Sequence, residues 1–286
     1  MPFISICIPT YNNAQLAAKA VESVLSQTFS DFECIITDDT PDDSVTQSLR
    51  HYLGDKRIHY IKNDVQLGSP ENWNYAISLA SGEYIKILHH DDFFSSNTSL
   101  QKFVDTAITF PEYEFIISNH TTHFYSSSHI IEYTINKEDL DATIKNPEKT
   151  LFKNIIGNPS VTMISRRIHE EYDTKLKWFV DCEYYYRIMQ KTDAAHINEQ
   201  LVAVHVGHPG QISNSIQHNY QFQLREIFYC LNKHHKNDNT ILNQQAEEII
   251  SQWLFDLSAL PSARELMKLN IIKARDILRR RCKLPL

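Results

Sequence analysis

FISICIPTYNN, residues 3–13, is the stretch that decides the fold. Ile4, Ile6, Cys7 and Ile8 form a nearly unbroken apolar run that stops at Pro9 and gives way to a polar Thr-Tyr-Asn-Asn tail. A strand buried on both faces reads this way, and such strands belong to parallel sheets covered by helices. DFECIITDD, residues 31–39, repeats the form. Between the two, AQLAAKAVESVLSQTF places Leu16, Ala20, Val24 and Phe29 near helical spacing among good helix formers.

The alternation continues outward. DDSVTQSLRHYL reads as a helix opened by an Asp cap, RIHYIKN as a strand, SPENWNYAISLAS as a helix with Pro70 near its first turn, and GEYIKIL as a strand. A mainly parallel sheet with helices on both faces is expected. Ligands of such sheets sit beyond the carboxyl ends of the strands, where helix N-termini present unpaired N–H groups. The loops there read PTYNN, DDTPDD and HHDD, so three polar loops converge on one edge and a nucleotide-sized, metal-assisted site is expected.

Past a helix over residues 97–110, EFIISNHTTHFYSSSHIIEYTI reads as two strands joined through serines, EKTLFKNIIG and DCEYYYRIMQK as helices, and SVTMIS and AAHINEQLVAVHV as strands. From about residue 215 only helical periodicity remains. This divides the chain into an α/β domain over 1–213, with halves 1–110 and 111–213, and a helical extension over 214–286.

Composition fits a folded soluble protein, with 42% apolar and 22% charged residues among 286. The N-terminus has neither the basic region nor the apolar length of a signal peptide or membrane span. The five cysteines are scattered with no CxxC pair, which suits a reducing, cytoplasmic setting. Net charge is −7, yet Arg264–Lys283 carries eight basic and two acidic residues, which leaves −13 for the remainder. An acidic body argues against nucleic acid. The basic stretch holds Leu266, Leu269, Ile272 and Leu278, a narrow apolar stripe suited either to an anionic membrane surface or to packing on the domain itself.

Taken together, ISICIPTYNN, SVLSQTFSDFECIITDD, ENWNYAISLASGEYIKILHHDD and FVDCEYYYRI resemble glycosyltransferase family 2 over residues 1 to about 210. The resemblance implies a GT-A fold, a nucleotide-sugar donor and a saccharide or lipid-linked saccharide acceptor. It places the base and ribose against Pro9, Thr10, Tyr11 and Asp38, where a carboxylate can accept the imide N–H of uracil and an aromatic ring can cover the base. Asn74 matches the family's Asn, while Trp73 stands where an Arg is usual, so no phosphate contact carries over from that position.

The family's Asp-x-Asp, followed by another Asp, falls on His89, His90, Asp91 and Asp92, with His89 in place of the first acid. Asp91 is the expected ligand of Mn²⁺ or Mg²⁺ on the donor diphosphate, His208 in HVGHPGQISNS a second ligand, and His89, His90 and Asp92 further donor contacts. Four metal-capable side chains in a row also invite a closed zinc site, but strand alternation would point neighbours to opposite faces. Asp181 is the expected general base; Glu183, four residues before Arg187, is suited to an ion pair instead. Tyr184, Tyr185, Tyr186 and Trp178 would serve either as an acceptor platform or as core. No glycine motif of a dinucleotide oxidoreductase follows the first strand. The reading that competes with an inverting, metal-dependent transferase of surface polysaccharide assembly is a non-catalytic nucleotide-sugar or glycan binder.

Overall fold

The computed structural model describes residues 1–217 and 219–234. It divides into two compact units, 1–211 and 212–286. In the second unit the described elements are α7 (Ile212–Ile216) and α8 (Tyr220–His234). The basic stretch Arg264–Lys283 and the helical periodicity beyond residue 234 lie outside the described residues.

The first unit is built on β1 (Ile4–Thr10), α1 (Ala14–Leu25), β2 (Phe32–Asp38), α2 (Ser44–Leu49), β3 (Ile58–Lys62), α3 (Glu71–Ser78) and β4 (Tyr84–Ile87). Next come β5 (Phe93–Phe94), α4 (Ser99–Thr109), β6 (Phe115–Phe124), β7 (Ile130–Tyr133), α5 (Lys137–Lys145), β8 (Thr162–Ser165), α6 (Val180–Met189) and β9 (Ala194–Val206). One nine-stranded sheet runs β3-β2-β1-β4-β8-β6-β9-β5, with β7 beside β6.

β1 pairs in parallel with β2 and β4, and β2 with β3, as the apolar runs require. Every residue of β1 is buried. Beyond β4 the sheet is mixed: β8 runs antiparallel between β4 and β6, and β9 is parallel to β6. Gly82 sets how closely β4 approaches β1, since a Cβ there would stand 2.6 Å from the Ser5 backbone nitrogen. Only glycine fits.

Three local expectations are corrected. Asp43 occupies the cap position of α2 with no side-chain bond to the helix, and the Asp42 side chain accepts from Ser44 N–H instead. EKTLFKNIIG forms only a 3₁₀ turn at Pro147–Leu151, because the Asn154 side chain accepts from the N–H groups of Ile156 and Gly157 and ends any helix there. Conversely α5 forms where no element was expected, capped by Asn136, which accepts from Asp139 N–H. Among the described residues no helix is long and apolar enough to cross a membrane.

Candidate active site

β4 ends at Ile87, so residues 89–92 are a turn, closed by Asp92 N–H donating to His89 O at 2.9 Å. This overturns the expectation from strand alternation: the turn gathers ligand atoms of His89, Asp91 and Asp92 to within 4.8 Å of one another. Asp92 is 1% exposed and spent inside the protein. Its Oδ1 accepts from His205 N–H at 3.1 Å and its Oδ2 from Asn158 Nδ2 at 2.7 Å. Burial, then the charge of Asp91, push its carboxyl well above the usual range. Ser160 completes the clamp, its Oγ accepting from His89 N–H at 2.9 Å. Behind it Lys86, fully buried, donates to the Ser160 and Thr162 carbonyls, and burial lowers its ammonium to about 7.

Asp91 faces the other way. Its Oδ2 accepts from His208 Nε2 at 2.7 Å, and its carbonyl accepts from His205 Nδ1 at 2.7 Å. Burial opposes ionisation of Asp91, but the His208 hydrogen bond and the flanking imidazoles outweigh it and hold the carboxyl well below the usual range. The same bond raises His208. His208 Nδ1 also approaches Asn13 Nδ2 at 3.4 Å, from a loop where Asn12 and Asn13 adopt φ of 55° and 50°. Asn tolerates this left-handed backbone better than most residues. Burial lowers His89 to about 4, so its ring is neutral, and its Nε2 is buried with no partner. The gathered ligand atoms of His89, Asp91 and Asp92 include a neutral imidazole nitrogen and an ionised carboxylate, a donor set that fits a divalent cation. His90 is held at the Pro9 backbone and lies 6.3 Å, ring to ring, from His208.

On the neighbouring loops, Tyr11 is 41% exposed while Thr10 is buried. Asp38 is fully buried, and four donors fill its four acceptor positions: Thr10 Oγ1 at 3.0 Å and Thr40 N–H at 2.9 Å on Oδ1, Tyr60 OH at 2.6 Å and Lys62 Nζ at 3.1 Å on Oδ2. Asn74 joins α3 to the segment before α6, donating to Tyr172 O at 2.9 Å and accepting from Tyr172 N–H at 2.8 Å. Trp73 packs on His89 at 4.6 Å and on Tyr172 at 5.3 Å.

Asp181 lies in the first turn of α6, with Phe179 at the cap position, so it is not the cap. Its Oδ1 is buried without a hydrogen-bond partner, and burial raises the carboxyl to about 7. Its surroundings reach the turn by two routes: Tyr172, which packs on Trp73 and so on His89, and Tyr185, whose OH donates to Gly157 O, next to Asn158. Glu183 is fully buried and accepts from Arg187 Nε at 2.9 Å, the expected ion pair. Tyr184 and Tyr185 are core, at 2% and 0% exposure, and Tyr184 stacks on Tyr172. They are not an acceptor platform.

A model of the family described as "Glycosyl transferase family 2" matches residues 5–173. The chain belongs to glycosyltransferase family 2. The putative colanic acid biosynthesis glycosyl transferase WcaA of Escherichia coli K12 is 32% identical over 216 residues, covering 72% of this chain and 74% of WcaA. WfaP of Escherichia coli, named UDP-Glc:alpha-D-GlcNAc-diphosphoundecaprenol beta-1,3-glucosyltransferase, is 31% identical over 131 residues, 46% of this chain and 50% of WfaP. The crystal structure of Staphylococcus aureus TarS 1-349 in complex with UDP-GlcNAc superposes with a TM-score of 0.68 at 15% identity, over 96% of this chain and 80% of that one. The fold is therefore GT-A, a curled, mostly parallel sheet flanked by helices, and the chain is a glycosyltransferase.

For a family 2 glycosyltransferase, the residues that sequence reasoning missed are those that position others. Asn158, Ser160 and His205 orient the acidic turn, and Tyr60 and Lys62 hold Asp38. His205 had a signal: it is the next-to-last residue of an alternating strand, three residues before His208. Asn158 and Ser160, at a 3₁₀ turn over Pro159–Val161 just before β8, had none.

Proposed function

We propose that this glycosyltransferase is metal-dependent and inverting, and transfers a sugar from a UDP-sugar to a hydroxyl of a glycan or lipid-linked acceptor in surface polysaccharide assembly. The observation that carries the reading is the division of labour between two carboxylates. Asp91 is kept ionised beside imidazoles, whereas Asp181 is kept near neutral pKa with an unpartnered oxygen. Environments that push two carboxyls apart assign one to charge stabilisation and the other to proton transfer.

Asp91 and His208, with His89 Nε2 adjacent, would hold Mn²⁺ or Mg²⁺. Bound there, the ion would supply a counter-charge to the diphosphate. Asp181 removes the proton from the acceptor hydroxyl as its oxygen attacks the anomeric carbon. The nucleoside diphosphate departs from the opposite face with the bonding pair, and a single displacement inverts the configuration. Pro9, Thr10 and Tyr11, with Asp38 beneath them, line the loop assigned to the base, Tyr11 offering the exposed ring. Asp38 would need to release Lys62 or Tyr60 to accept an imide N–H. The uridine donor and lipid-linked acceptor are supported by what WfaP's name states of that enzyme, and polysaccharide assembly by WcaA's.

Release of nucleoside diphosphate should be followed across UDP-, GDP- and dTDP-sugars with Mn²⁺, with Mg²⁺ and with chelator. Turnover of a UDP-sugar that stops on chelation is expected. Metal-independent turnover, or no turnover and no thermal stabilisation by any donor, would reject the proposal.

A further inference from the structure

The hairpin β6–β7 carries exposed apolar side chains beside the site, flanking a turn of Ser126, Ser127, Ser128 and His129. Tyr125, Ile130 and Ile131 are 53%, 52% and 46% exposed. Tyr125 N–H donates to Val206 O at 3.0 Å, and its ring lies 6.2 Å from that of His208. The tip therefore starts where β9 delivers His208 to Asp91. We propose that residues 124–131 form a membrane-contact element that dips into the interfacial layer of an anionic bilayer and holds the site against a lipid-borne acceptor. The acceptor half of this statement rests on the function proposed above; the bilayer contact does not.

Three observations select a bilayer as the occupant. Ile130 and Ile131 are consecutive in a strand and so project from opposite faces of the hairpin. A protein partner packed on the sheet would cover one face, whereas a tip immersed in a bilayer is surrounded on both. Charge agrees: the seventeen residues Phe115–Ile131 contain no Asp or Glu, in a chain with 35 of them and a net charge of −7. The first acid, Glu132, is exposed beyond the tip and registers with Thr121. On the same side, Lys19 is exposed on α1 with its ammonium 3.8 Å from the Phe93 ring centroid, and Phe93 packs on His123 at 5.5 Å. A cation and an apolar tip without acids suit anionic headgroups over acyl chains. Depth is bounded by the backbone. β7 has no partner on its outer edge among the described residues, and unpaired N–H and C=O groups do not enter the hydrocarbon layer. Contact is thus shallow, with Tyr125 at the headgroup level where tyrosines are enriched.

The test uses the full chain and vesicles of phosphatidylglycerol mixed with phosphatidylethanolamine, against phosphatidylcholine alone. The wild type should sediment with the anionic vesicles, and Ile130→Ser with Ile131→Ser should weaken this about tenfold or more, since two apolar side chains are removed from the contact. An Ile131→Trp variant should be quenched by brominated lipid, which separates the hairpin from the basic stretch Arg264–Lys283 as the membrane-binding part. Thermal stabilisation by UDP with Mn²⁺ should be the same in wild type and double variant. Absence of vesicle binding by the wild type, unchanged binding by the double variant, or an unquenched Trp would overturn the proposal. A dimer in sedimentation velocity that the double variant abolishes would also overturn it, by assigning the tip to a second copy of the chain. Loss of the UDP response in both proteins, with vesicle binding intact, would instead count against the donor assignment.

Discussion

His208 Nε2 donates to Asp91 Oδ2 at 2.7 Å across 117 residues of chain. This pair ties the last loop of the α/β unit to the acidic turn before any cation arrives. His208 is raised above its usual 6.5 and Asp91 held below its usual 3.8 by the same contact. The stabilisation is fully present between those ordinary values, disappears as pH rises through the raised His208 value, and disappears as pH falls through the depressed Asp91 value. In chelator, His208→Gln should therefore lower the melting temperature most near pH 5–6 and progressively less as pH rises through the raised His208 value. In the coordination proposed above a cation displaces the His208 proton, so Mn²⁺ affinity should increase with pH across the same range, with proton release measurable by calorimetry in buffers of different ionisation heat.

Removing the ionised carboxylate should stop the chemistry more than the folding. Asp91→Asn is expected to lower transfer on the order of 10²–10³-fold, the scale on which loss of one preorganised electrostatic group acts. Mn²⁺ affinity, read from the paramagnetic resonance of the free ion, should fall in parallel.

Asp181 should show the opposite balance. Its carboxyl, raised to about 7 by burial, is more protonated in the folded chain than in the unfolded one. Its stabilising share is present below the usual 3.8 and lost as pH rises through about 7. Asp181→Asn should thus be more stable than wild type at pH 8, by about 1–3 kcal/mol, because the amide keeps the shape and removes the charge that burial disfavours. Transfer should be lost while donor binding remains. In the wild type, kcat/KM should climb with pH through about 7. A pH-independent rate between 6 and 8 would argue against Asp181 as base.

Arg187 is the counterpart of a fully buried carboxylate. It donates to Glu183 at 2.9 Å, pairs with Glu170, and donates to Glu171 O at 2.7 Å. Arg187→Met removes the guanidinium that pairs with buried Glu183 and should cost about 3–5 kcal/mol in denaturant unfolding. Adding Glu183→Gln should restore a large part of the loss.

Gly82→Ala tests the approach of β4 to β1. The atoms a Cβ would meet at 2.6 and 2.8 Å are backbone of Ser5 and Ile4, which cannot rotate away. A cost of about 1–3 kcal/mol or more is expected by equilibrium unfolding, as for overpacked cores. Gly54→Ala, where a Cβ meets nothing within 4 Å, is the control.

The parallel half of the fold was legible because β1 and β2 are buried on both faces, so their apolar runs carry the signal unaided. β5 was not, since its two residues, Phe93 and Phe94, are a strand only through pairing with β9. At the site, the acids at 91 and 181 stood out through the family resemblance, and the roles proposed for them rest on the tests above. What could not be read was how side chains are spent: Asp92 looks like Asp91 in sequence, yet one is consumed by Asn158 and His205 and the other is turned toward His208. Tyr184 and Tyr185 likewise differ from an exposed aromatic only by burial.

The acidic turn takes its supports from residues 158, 160, 205 and 208, and β5, which follows it, pairs with β9. A chain leaving the ribosome can order β1 to β4 early, since those strands are near one another in sequence, but the turn lacks its His205 and His208 contacts until β9 and the loop after it have emerged and docked. Full bracing of the turn is thus a late event of synthesis. A truncated product ending before Ala194 would keep the loops assigned to the base and lack every contact that β9 and His208 give the acidic turn, and on the proposed function it is expected not to turn over donor.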